Sequence, residues 1–258
     1  MSLWVPRSPC GTHCLPADWP RVGPAQVAVR CAAAVAILLA SPVFLLAPQR
    51  LARAMLAALG VEHDATGRLP TRRALVAANH MSWLDALVVL AYAPARLLAK
   101  REVRTWPVIG WVAAALGTVF IDRSRPRTLP ATVREVAAAL RAGAVVAVFP
   151  EGTTWCGRSS GPFRPALFQA AIDAQAPVVP VTLRFDLAGG GGTTVAAYLG
   201  EDSLVASFWR VVTTRGLRVS LRAHPALYPM PGADRRTLAR AAGAASRDDL
   251  PRAYARAA

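Results

Sequence analysis

The sequence predicts an α/β fold: a mixed, largely parallel central sheet flanked by helices, with an N-terminal membrane-associating helical segment. Short apolar runs suited to buried strands recur from residue 74 onward, and helix-periodic segments separate the earlier ones. With 258 residues, 54% of them hydrophobic and 17% charged, the chain is long and apolar enough to bury one sizeable core. The same composition excludes an intrinsically disordered protein.

The N-terminal quarter divides into a leader and an apolar helical part. Residues 1–24 lack an apolar period and hold several prolines, which predicts a disordered leader. Residues 25–60 predict membrane-associating helices, because positions 31–49 are uncharged and would measure about 28 Å as a helix. Pro42 and arginines on both flanks favour a helix that lies in or dips into one leaflet, with a second amphipathic piece over 51–60. A full span and a buried core helix remain alternatives.

Residues 61–232 carry the strand pattern and predict the main domain, and residues 233–258 predict a helical tail. The apolar runs that predict strands lie at 74–78, 96–99, 118–121, 144–149, 178–185, 194–199 and 217–223. After Pro130, apolar residues at helical spacing predict a helix that stops at Gly143. The order strand, helix, strand predicts parallel pairing of 118–121 with 144–149.

Arginine carries almost all of the positive charge of the chain. Thirty basic residues against fifteen acidic ones give a formal net charge of +15, and Lys100 is the only lysine. Arginine suits planar anionic partners, so anionic lipid, a phosphorylated substrate and nucleic acid all fit the charge alone. The scattered arginines and the lack of aromatic stacking platforms argue against nucleic acid.

Four cysteines are too few and too unevenly spaced for a disulfide framework. Cys10-Gly-Thr-His13-Cys14 contains potential metal ligands, but no second pair follows at zinc-site spacing. The sequence therefore predicts a reduced, cytosol-facing protein without a metal site.

Three polar clusters each begin where an apolar strand is predicted to end. They are Asn79-His80, Asp122-Arg123 and Glu151-Gly152-Thr153. In open α/β sheets, ligands bind in the crevice beyond the carboxyl ends of the strands. We therefore expect an imidazole, a guanidinium and a carboxylate to meet at one place.

His80 and Asp85 are candidates for a base and its orienting carboxylate. Five residues apart on one helix they would not face each other, so His80 must precede the helix. Ser82 is a suitable N-cap, which makes Asp85 the third helical residue and lets its carboxylate turn back toward the imidazole. The alternative is that Ser82 and Asp85 form only a capping box and that His80 is a surface residue.

The sequence contains no Gly-x-Ser-x-Gly elbow, so the signature of an acyl-enzyme hydrolase is absent. Activation of a hydroxyl for direct attack is the chemistry that fits a histidine base near neutral pH. Arg123 and Arg125 offer a guanidinium pair for a phosphate, and a solvated turn is the alternative.

Four ordered segments resemble the sequence blocks of the lysophospholipid acyltransferases, 1-acylglycerol-3-phosphate acyltransferase type. They are Asn79-His80-x-x-x-x-Asp85, Gly117-Thr-Val-Phe-Ile-Asp-Arg123, Phe149-Pro-Glu-Gly-Thr153 and Val178-Val-Pro180-Val. They cover about 75–185, and four blocks in order are much more specific than one.

The resemblance implies that His80 is the catalytic base, that Asp85 orients it, and that 61–232 is an acyltransferase catalytic domain. The implied substrate-binding residues are Asn79, Arg123, Glu151, Gly152 and Thr153. The implied partners are a lysophospholipid acceptor, an acyl-CoA or acyl-carrier-protein donor as co-substrate, and an anionic membrane surface, without cofactor or nucleic acid. The implied location is the inner (cytoplasmic) membrane, with the catalytic domain facing the cytoplasm.

One departure from the family pattern concerns the acceptor. Many members carry an arginine directly after Glu-Gly-Thr, where this chain has Thr154 and Trp155. The missing cation weakens the expectation of a phosphomonoester and favours an acceptor with fewer such contacts, such as lyso-ornithine lipid. Lys100 is a candidate replacement, and a solvated lysine is the alternative.

The predicted function is an O-acyltransferase, with conversion of lysophosphatidic acid to phosphatidic acid as the leading assignment. Backbone N–H groups near Gly152 are the candidates for stabilising the oxyanion. The rivals are transfer to another lysolipid, hydrolysis with water as the acceptor, and a basic nucleic-acid-binding module.

Overall fold

The computed structural model describes residues 6–200, 202–230 and 232–248, apart from the side chains of Phe44 and Asp248. One sheet within these residues contains the strands β1 Val61–Thr66, β2 Ala74–Ala78, β3 Ala95–Lys100, β4 Val119–Ile121, β5 Val145–Val148, β6 Val178–Leu187 and β7 Leu217–Ala223. The α-helices are α1 Pro24–Ala40, α2 Pro48–Ala58, α3 Leu84–Tyr92, α4 Ile109–Ala115, α5 Leu129–Arg141, α6 Phe168–Asp173, α7 Leu204–Thr213 and α8 Arg235–Asp248.

The strands lie in the order β1-β7-β6-β2-β5-β3-β4, and β6 with β7 is the one antiparallel pair among the described strands. The predicted fold class, mixed and largely parallel, is confirmed. Because β2, β3, β4 and β5 run in the same direction, their carboxyl ends meet at one edge of the sheet. That edge is where the three polar clusters begin.

The central strands are buried on both faces, which explains their continuous apolar runs. Along β2, Val76 and Ala78 contact the core beneath α2, α3 and α7, whereas Leu75 and Ala77 contact the core beneath α5, α6 and α8. Because side chains alternate along a strand, successive residues of β2 pack into two separate cores, one on each face of the sheet. The result is a sheet between two helical layers.

The predicted direct pairing of 118–121 with 144–149 is wrong. β3 lies between β4 and β5 and pairs in parallel with both. The helix predicted after Pro130 is confirmed as α5, and Gly143 beyond it has a φ of +89°. The connection from β4 through α5 to β5 therefore passes over β3. Hydrophobic periodicity alone does not reveal this strand order.

Residues 194–199 are buried but do not form the predicted strand. The Ala197 N–H donates to the Thr194 carbonyl in a turn, and the Arg210 guanidinium donates to the Val195 and Ala197 carbonyls. An arginine therefore satisfies the backbone acceptors that a neighbouring strand would otherwise occupy. The strand that the sequence analysis missed is β1, an edge strand in which exposed polar residues alternate with buried or half-buried ones.

Residues 6–23, predicted as part of a disordered leader, lie against the domain. Cys10 and Val22 are buried, and the Val22 N–H donates to the Thr213 carbonyl at 2.9 Å. The Thr194 hydroxyl donates to the Cys14 carbonyl at 2.7 Å. The segment is ordered because it covers apolar groups near 194–199, a partner that is remote in sequence. Residues 1–5 of the predicted leader lie outside the described residues.

α1 and α2 contact each other, and each also packs against the rest of the domain, α1 on α7 and α2 on α3. The Arg30 guanidinium on α1 donates to the Val212 and Thr214 carbonyls at the end of α7, at 2.9 and 2.7 Å. α2 buries Leu51 and Leu56 and packs on α3, so the amphipathic piece predicted over 51–60 faces the protein. Association of this piece with a membrane stays a prediction.

The far side of α1 is different, because several of its apolar side chains are exposed. Val35 and Leu39 are 56% and 68% exposed, and Leu46 in the connection to α2 is 98% exposed. Among the described residues, Pro24–Val43 is the helical segment whose length and composition suffice to cross a membrane. At the other end of the chain, α8 lies within the predicted tail, and residues 249–258 lie outside the described residues.

Candidate active site

His80 and Asp85 form a hydrogen-bonded pair just beyond the carboxyl end of β2. Nδ1 of His80 lies 2.8 Å from Oδ2 of Asp85. The Asp85 side chain is fully buried, whereas the imidazole is 20% exposed. We assign the Nδ1–H tautomer from this bond, which leaves Nε2 as the nitrogen able to accept a proton.

The turn between β2 and α3 brings together two residues that are five positions apart. Oδ2 of Asp85 also accepts the backbone N–H groups of Met81 and Ser82, at 2.7 and 2.8 Å. Oγ of Ser82 accepts the N–H of Leu84 at 3.3 Å, as an N-cap does. The capping bonds and the bond to the imidazole are therefore both present, which does not fit the alternative of a capping box beside a surface histidine. Ser82 is fully buried and serves to position the pair.

The loop after β5 holds the main chain of His80 on two sides. Oε2 of Glu151 accepts the His80 N–H at 2.7 Å, and the Trp155 N–H donates to the His80 carbonyl at 2.8 Å. Oε1 of Glu151 accepts the Gly161 N–H at 2.9 Å. Both carboxyl oxygens are thus used within the protein, and Glu151 is buried. Its carboxylate supports the backbone of His80, and its predicted contact to the acceptor stays a prediction.

Burial raises the pKa of Glu151 to about 8. The N–H groups of His80 and Gly161 and the charge of Arg247 act in the opposite direction, and the charge of Asp85 raises the pKa further. As the pH rises through this value the carboxyl ionises, which strengthens its two N–H bonds and places a charge in a buried site.

Phe149 covers one face of the imidazole, and the sequence analysis named it only as the first residue of a family-like block, without a role in the site. Its ring stacks on His80 with a centroid separation of 4.3 Å and an interplanar angle of 18°. The available signal was its place as the last residue of the predicted strand 144–149. The stack and the bond to Asp85 together fix the ring orientation.

Arg123 reaches the same loop from the end of β4. Its Nη1 donates to the Gly152 carbonyl at 2.5 Å. Gly152 has a φ of +77°, and a Cβ there would lie 2.7 Å from Pro6 Cγ, so only glycine fits. The Gly152 N–H itself donates to the Phe149 carbonyl at 3.1 Å, and the oxyanion role of the N–H groups near Gly152 stays a prediction. Thr153 follows in the half-buried part of the loop.

Three cations and one acid lie near one another beside this loop. Burial lowers the pKa of Arg123, as does the charge of Arg164, and Glu102 acts against both. Partial burial and the charge of Arg123 lower the pKa of Lys100, again opposed by Glu102. Arg164 also approaches Gly152, since a Cβ there would lie 3.3 Å from Arg164 Cδ. Arg164 was not predicted, because it lies outside every strand-end cluster.

Arg125 does not join Arg123 as the predicted phosphate-binding pair. It is 73% exposed and forms an ion pair with Asp122 at 3.8 Å, and Arg101 approaches the same carboxylate at 3.4 Å. The Ser124 hydroxyl and these two arginines hold the pKa of Asp122 below its ordinary value. The guanidinium of Arg125 therefore pairs with Asp122 at the surface and does not accompany Arg123.

Asn79 bonds to the backbone of β6, and its predicted role in substrate binding stays a prediction. Its Nδ2 donates to the Leu183 carbonyl at 3.0 Å, and its Oδ1 accepts the Leu183 N–H at 2.7 Å. The side chain is buried and ties the end of β2 to β6. It thereby fixes the strand end from which His80 projects.

The three strand-end clusters meet as expected. His80 bonds to Glu151, Gly152 follows Glu151, and Arg123 bonds to Gly152. The site thus combines a partly exposed imidazole, oriented by a buried carboxylate, with a group of cations. Such an arrangement can remove a proton from a hydroxyl on an anionic molecule.

Comparison with known proteins agrees with this site. A family model described as Acyltransferase matches residues 61–184. A Neisseria meningitidis protein named 1-acyl-sn-glycerol-3-phosphate acyltransferase is 39% identical over 171 residues, which are 66% of this chain and 67% of that protein. A Pseudomonas aeruginosa protein named lyso-ornithine lipid O-acyltransferase is 38% identical over 205 residues, 77% of this chain and 78% of that protein.

The fold is also found in a solved structure. The crystal structure of the 1-acyl-sn-glycerophosphate (LPA) acyltransferase PlsC from Thermotoga maritima superposes with a TM-score of 0.66 and 20% identity, covering 91% of this chain and 97% of that one. At this identity the match supports the fold. Together, the sequence relatives and the matched family model establish that this chain belongs to the acyltransferase family.

Proposed function

We propose that the protein transfers a fatty acyl group from a thioester donor to the free hydroxyl of a lysophospholipid. The observation that carries this proposal is the His80–Asp85 pair, which leaves Nε2 able to accept a proton, in a site that Arg123 joins through the Glu151–Gly152 loop. Acyl-CoA and acyl-carrier protein are the two donor classes.

The proposed reaction needs one proton transfer in each direction. Nε2 of His80 takes the proton from the acceptor hydroxyl as its oxygen attacks the thioester carbonyl carbon. The tetrahedral intermediate then expels the thiolate, which receives the proton from the imidazolium. The anionic Asp85 stabilises the imidazolium between these steps. The products are an ester and a free thiol.

The leading acceptor is lysophosphatidic acid, and the product is phosphatidic acid. A phosphomonoester carries up to two negative charges, which suits Arg123 and the cations that act on it or that it acts on, Arg164 and Lys100. Arg164 supplies a cation near the loop in which Thr154 and Trp155 replace the arginine of many family members. It thereby restores the expectation of phosphate that the sequence alone weakened.

Lyso-ornithine lipid is the second candidate acceptor. Its head group carries a carboxylate and an amine, and Glu102 lies among the cations where it is able to pair with an ammonium. The Pseudomonas aeruginosa relative named for this activity also aligns over 77% of the chain.

A panel of lysolipids with one radiolabelled acyl donor tests the function. We expect label in a diacyl product only when a lysolipid is present, and the preferred acceptor distinguishes the two candidates. Label released mainly as free fatty acid would indicate hydrolysis. Salt-sensitive DNA binding without any acyl transfer would revive the nucleic-acid-binding alternative.

Replacing Arg123 with alanine is expected to weaken use of the phosphorylated acceptor selectively. Loss of a hydrogen bond to a charged group costs about 1.5–3 kcal/mol, so kcat/KM for lysophosphatidic acid should fall roughly 10- to 150-fold, chiefly through KM. A phosphate-free lysolipid should be affected much less. Arg127→Ala, which removes an exposed arginine from the same loop, is the matched control. Equal losses for both acceptors would mean that Arg123 only holds Gly152.

We also propose that the α1–α2 hairpin enters one leaflet of the inner membrane from the cytoplasmic side. Arg30 ties the first half of α1 to α7, and α2 packs on α3. If both ends stay with the same domain, a complete crossing of the bilayer is excluded. The exposed apolar residues of α1 and the following turn are then the part that enters lipid.

Glutamates at Val35 and Leu39 should release the protein from vesicles of mixed anionic and zwitterionic lipid. Two apolar contacts of about 1.5–3 kcal/mol each are lost, so the partition coefficient should fall at least about a hundredfold. Tyr228→Glu with Met230→Glu places the same charges on exposed apolar residues after β7 and should leave binding intact. Equal release by both double variants would indicate charge repulsion without insertion of α1. Co-sedimentation with vesicles measures both.

A further inference from the structure

Three cysteine thiols from two distant segments lie together beside the candidate active site. Cys10 and Cys14 belong to the N-terminal segment, and Cys156 lies in the loop after β5, 146 positions after Cys10. Their sulfur atoms all lie within 4.8 Å of one another. Sequence spacing predicted no metal site because the third sulfur is supplied only by folding.

The surroundings of the sulfurs suit a bound ion. Cys10 and Cys156 are 7% and 2% exposed, and Cys14 is half-buried. Oγ of Ser159 lies 3.3 Å from Cys10 Sγ and 3.6 Å from Cys156 Sγ. The Cys156 N–H points to Cys10 Sγ at 3.4 Å. Donors of this kind orient and stabilise thiolate ligands around a metal.

We propose that Cys10, Cys14 and Cys156 bind a thiophilic divalent metal ion such as Zn²⁺, with Ser159 or water as the fourth ligand. Zn–S bonds of about 2.3 Å place the sulfurs of a tetrahedral site about 3.8 Å apart, so the thiols need to close by about 1 Å at most. Each thiol loses its proton on becoming a ligand. Thiolate sulfur selects zinc and similar soft ions over magnesium or calcium.

A disulfide is the competing use of the same residues. A disulfide joins only two of the three sulfurs and leaves the third unpaired, whereas a metal ion uses all three. The mutual approach of three thiols, with a hydroxyl between two of them, therefore favours the ion.

The ion would fasten the N-terminal segment to the loop that holds His80. Cys156 directly follows Trp155, whose N–H bonds to the His80 carbonyl. Pro6, on the other flank of Cys10, lies against Gly152 in the same loop. The site is thus structural, and it is independent of the proposed acyl-transfer chemistry.

Titration of the reduced full-length protein with Co²⁺, followed by displacement with Zn²⁺, tests the proposal. We expect one ion per chain and the intense near-ultraviolet charge-transfer absorption of a thiolate–cobalt site, lost when Zn²⁺ displaces the cobalt. Cys10→Ser, Cys14→Ser and Cys156→Ser should each weaken Co²⁺ binding by at least about a hundredfold, since even outer ligand contacts matter by 10- to 100-fold.

Cys31→Ser is the matched control, because Cys31 lies on α1 outside the cluster and should leave binding unchanged. Circular dichroism checks that each variant folds. If one variant does not fold, the Co²⁺ titration of the wild-type protein still tests whether the site binds a metal ion. Absence of the charge-transfer band, or equal binding by all four variants, would overturn the proposal. So would a disulfide between two of the three cysteines, found by non-reducing peptide mapping of protein isolated without reductant.

Discussion

Replacing His80 with alanine is expected to lower kcat by about 10²- to 10⁴-fold while the protein stays folded. General base catalysis contributes about 10²- to 10⁴-fold, and Nε2 of His80 is the proposed proton acceptor. The fold should survive because the Glu151 and Trp155 contacts engage the backbone of His80, which alanine retains. The measurement is steady-state acyl transfer together with thermal unfolding.

His63→Ala is the control for loss of an imidazole. His63 lies on β1 and bonds to Tyr92 Oη at 2.6 Å, at the end of α3 opposite to His80. This variant should retain nearly full turnover. Turnover by His80→Ala close to that of the wild-type protein would remove His80 as the base, whatever the role of the rest of the site.

Replacing Asp85 with asparagine is expected to lower kcat by about 10²- to 10⁴-fold with little change in KM. Oδ2 accepts three N–H groups, whereas Oδ1 is buried without a hydrogen-bond partner. A carboxamide with its oxygen in the Oδ2 position keeps all three bonds, loses the negative charge and places its NH2 group where the buried Oδ1 has no partner. The imidazolium then loses its stabilising partner, while the loop keeps its shape.

The effects of Asp85→Asn on kcat and on KM distinguish a catalytic role of Asp85 from a purely structural one. A purely structural Asp85 would leave turnover intact in Asp85→Asn, because its hydrogen bonds survive, and the catalytic proposal would then fail. Asp85→Ala should in addition destabilise the protein, since three N–H groups lose their acceptor. Asp64→Asn, which neutralises an exposed carboxylate on β1, should be neutral in both assays.

The sequence alone was sufficient to predict that the site residues converge. Strand ends can be located from apolar runs, and parallel strands place their carboxyl ends at one edge, so His80, Arg123 and Glu151 were expected together. The pairing of His80 with Asp85 was also predictable, because capping rules at the start of α3 act between neighbouring residues.

The roles of individual side chains within the site were less predictable. Asn79 and Glu151 were expected to contact the acceptor, yet both bond to backbone groups of the protein. A polar side chain at a strand end has the same sequence signature whether it faces a ligand or a neighbouring loop. Burial and hydrogen-bond partners distinguish these cases, and both depend on the assembled fold.

Local pattern determined the α/β class, the strand-end clusters, the capped start of α3 and the apolar character of α1, because each depends on residues a few positions apart. Only the tertiary structure decided that β3 separates β4 from β5, that Arg164 joins the cations, and that Cys156 meets Cys10 and Cys14. Those relations join residues many positions apart, and hydrophobic periodicity carries no information about which distant segments come into contact.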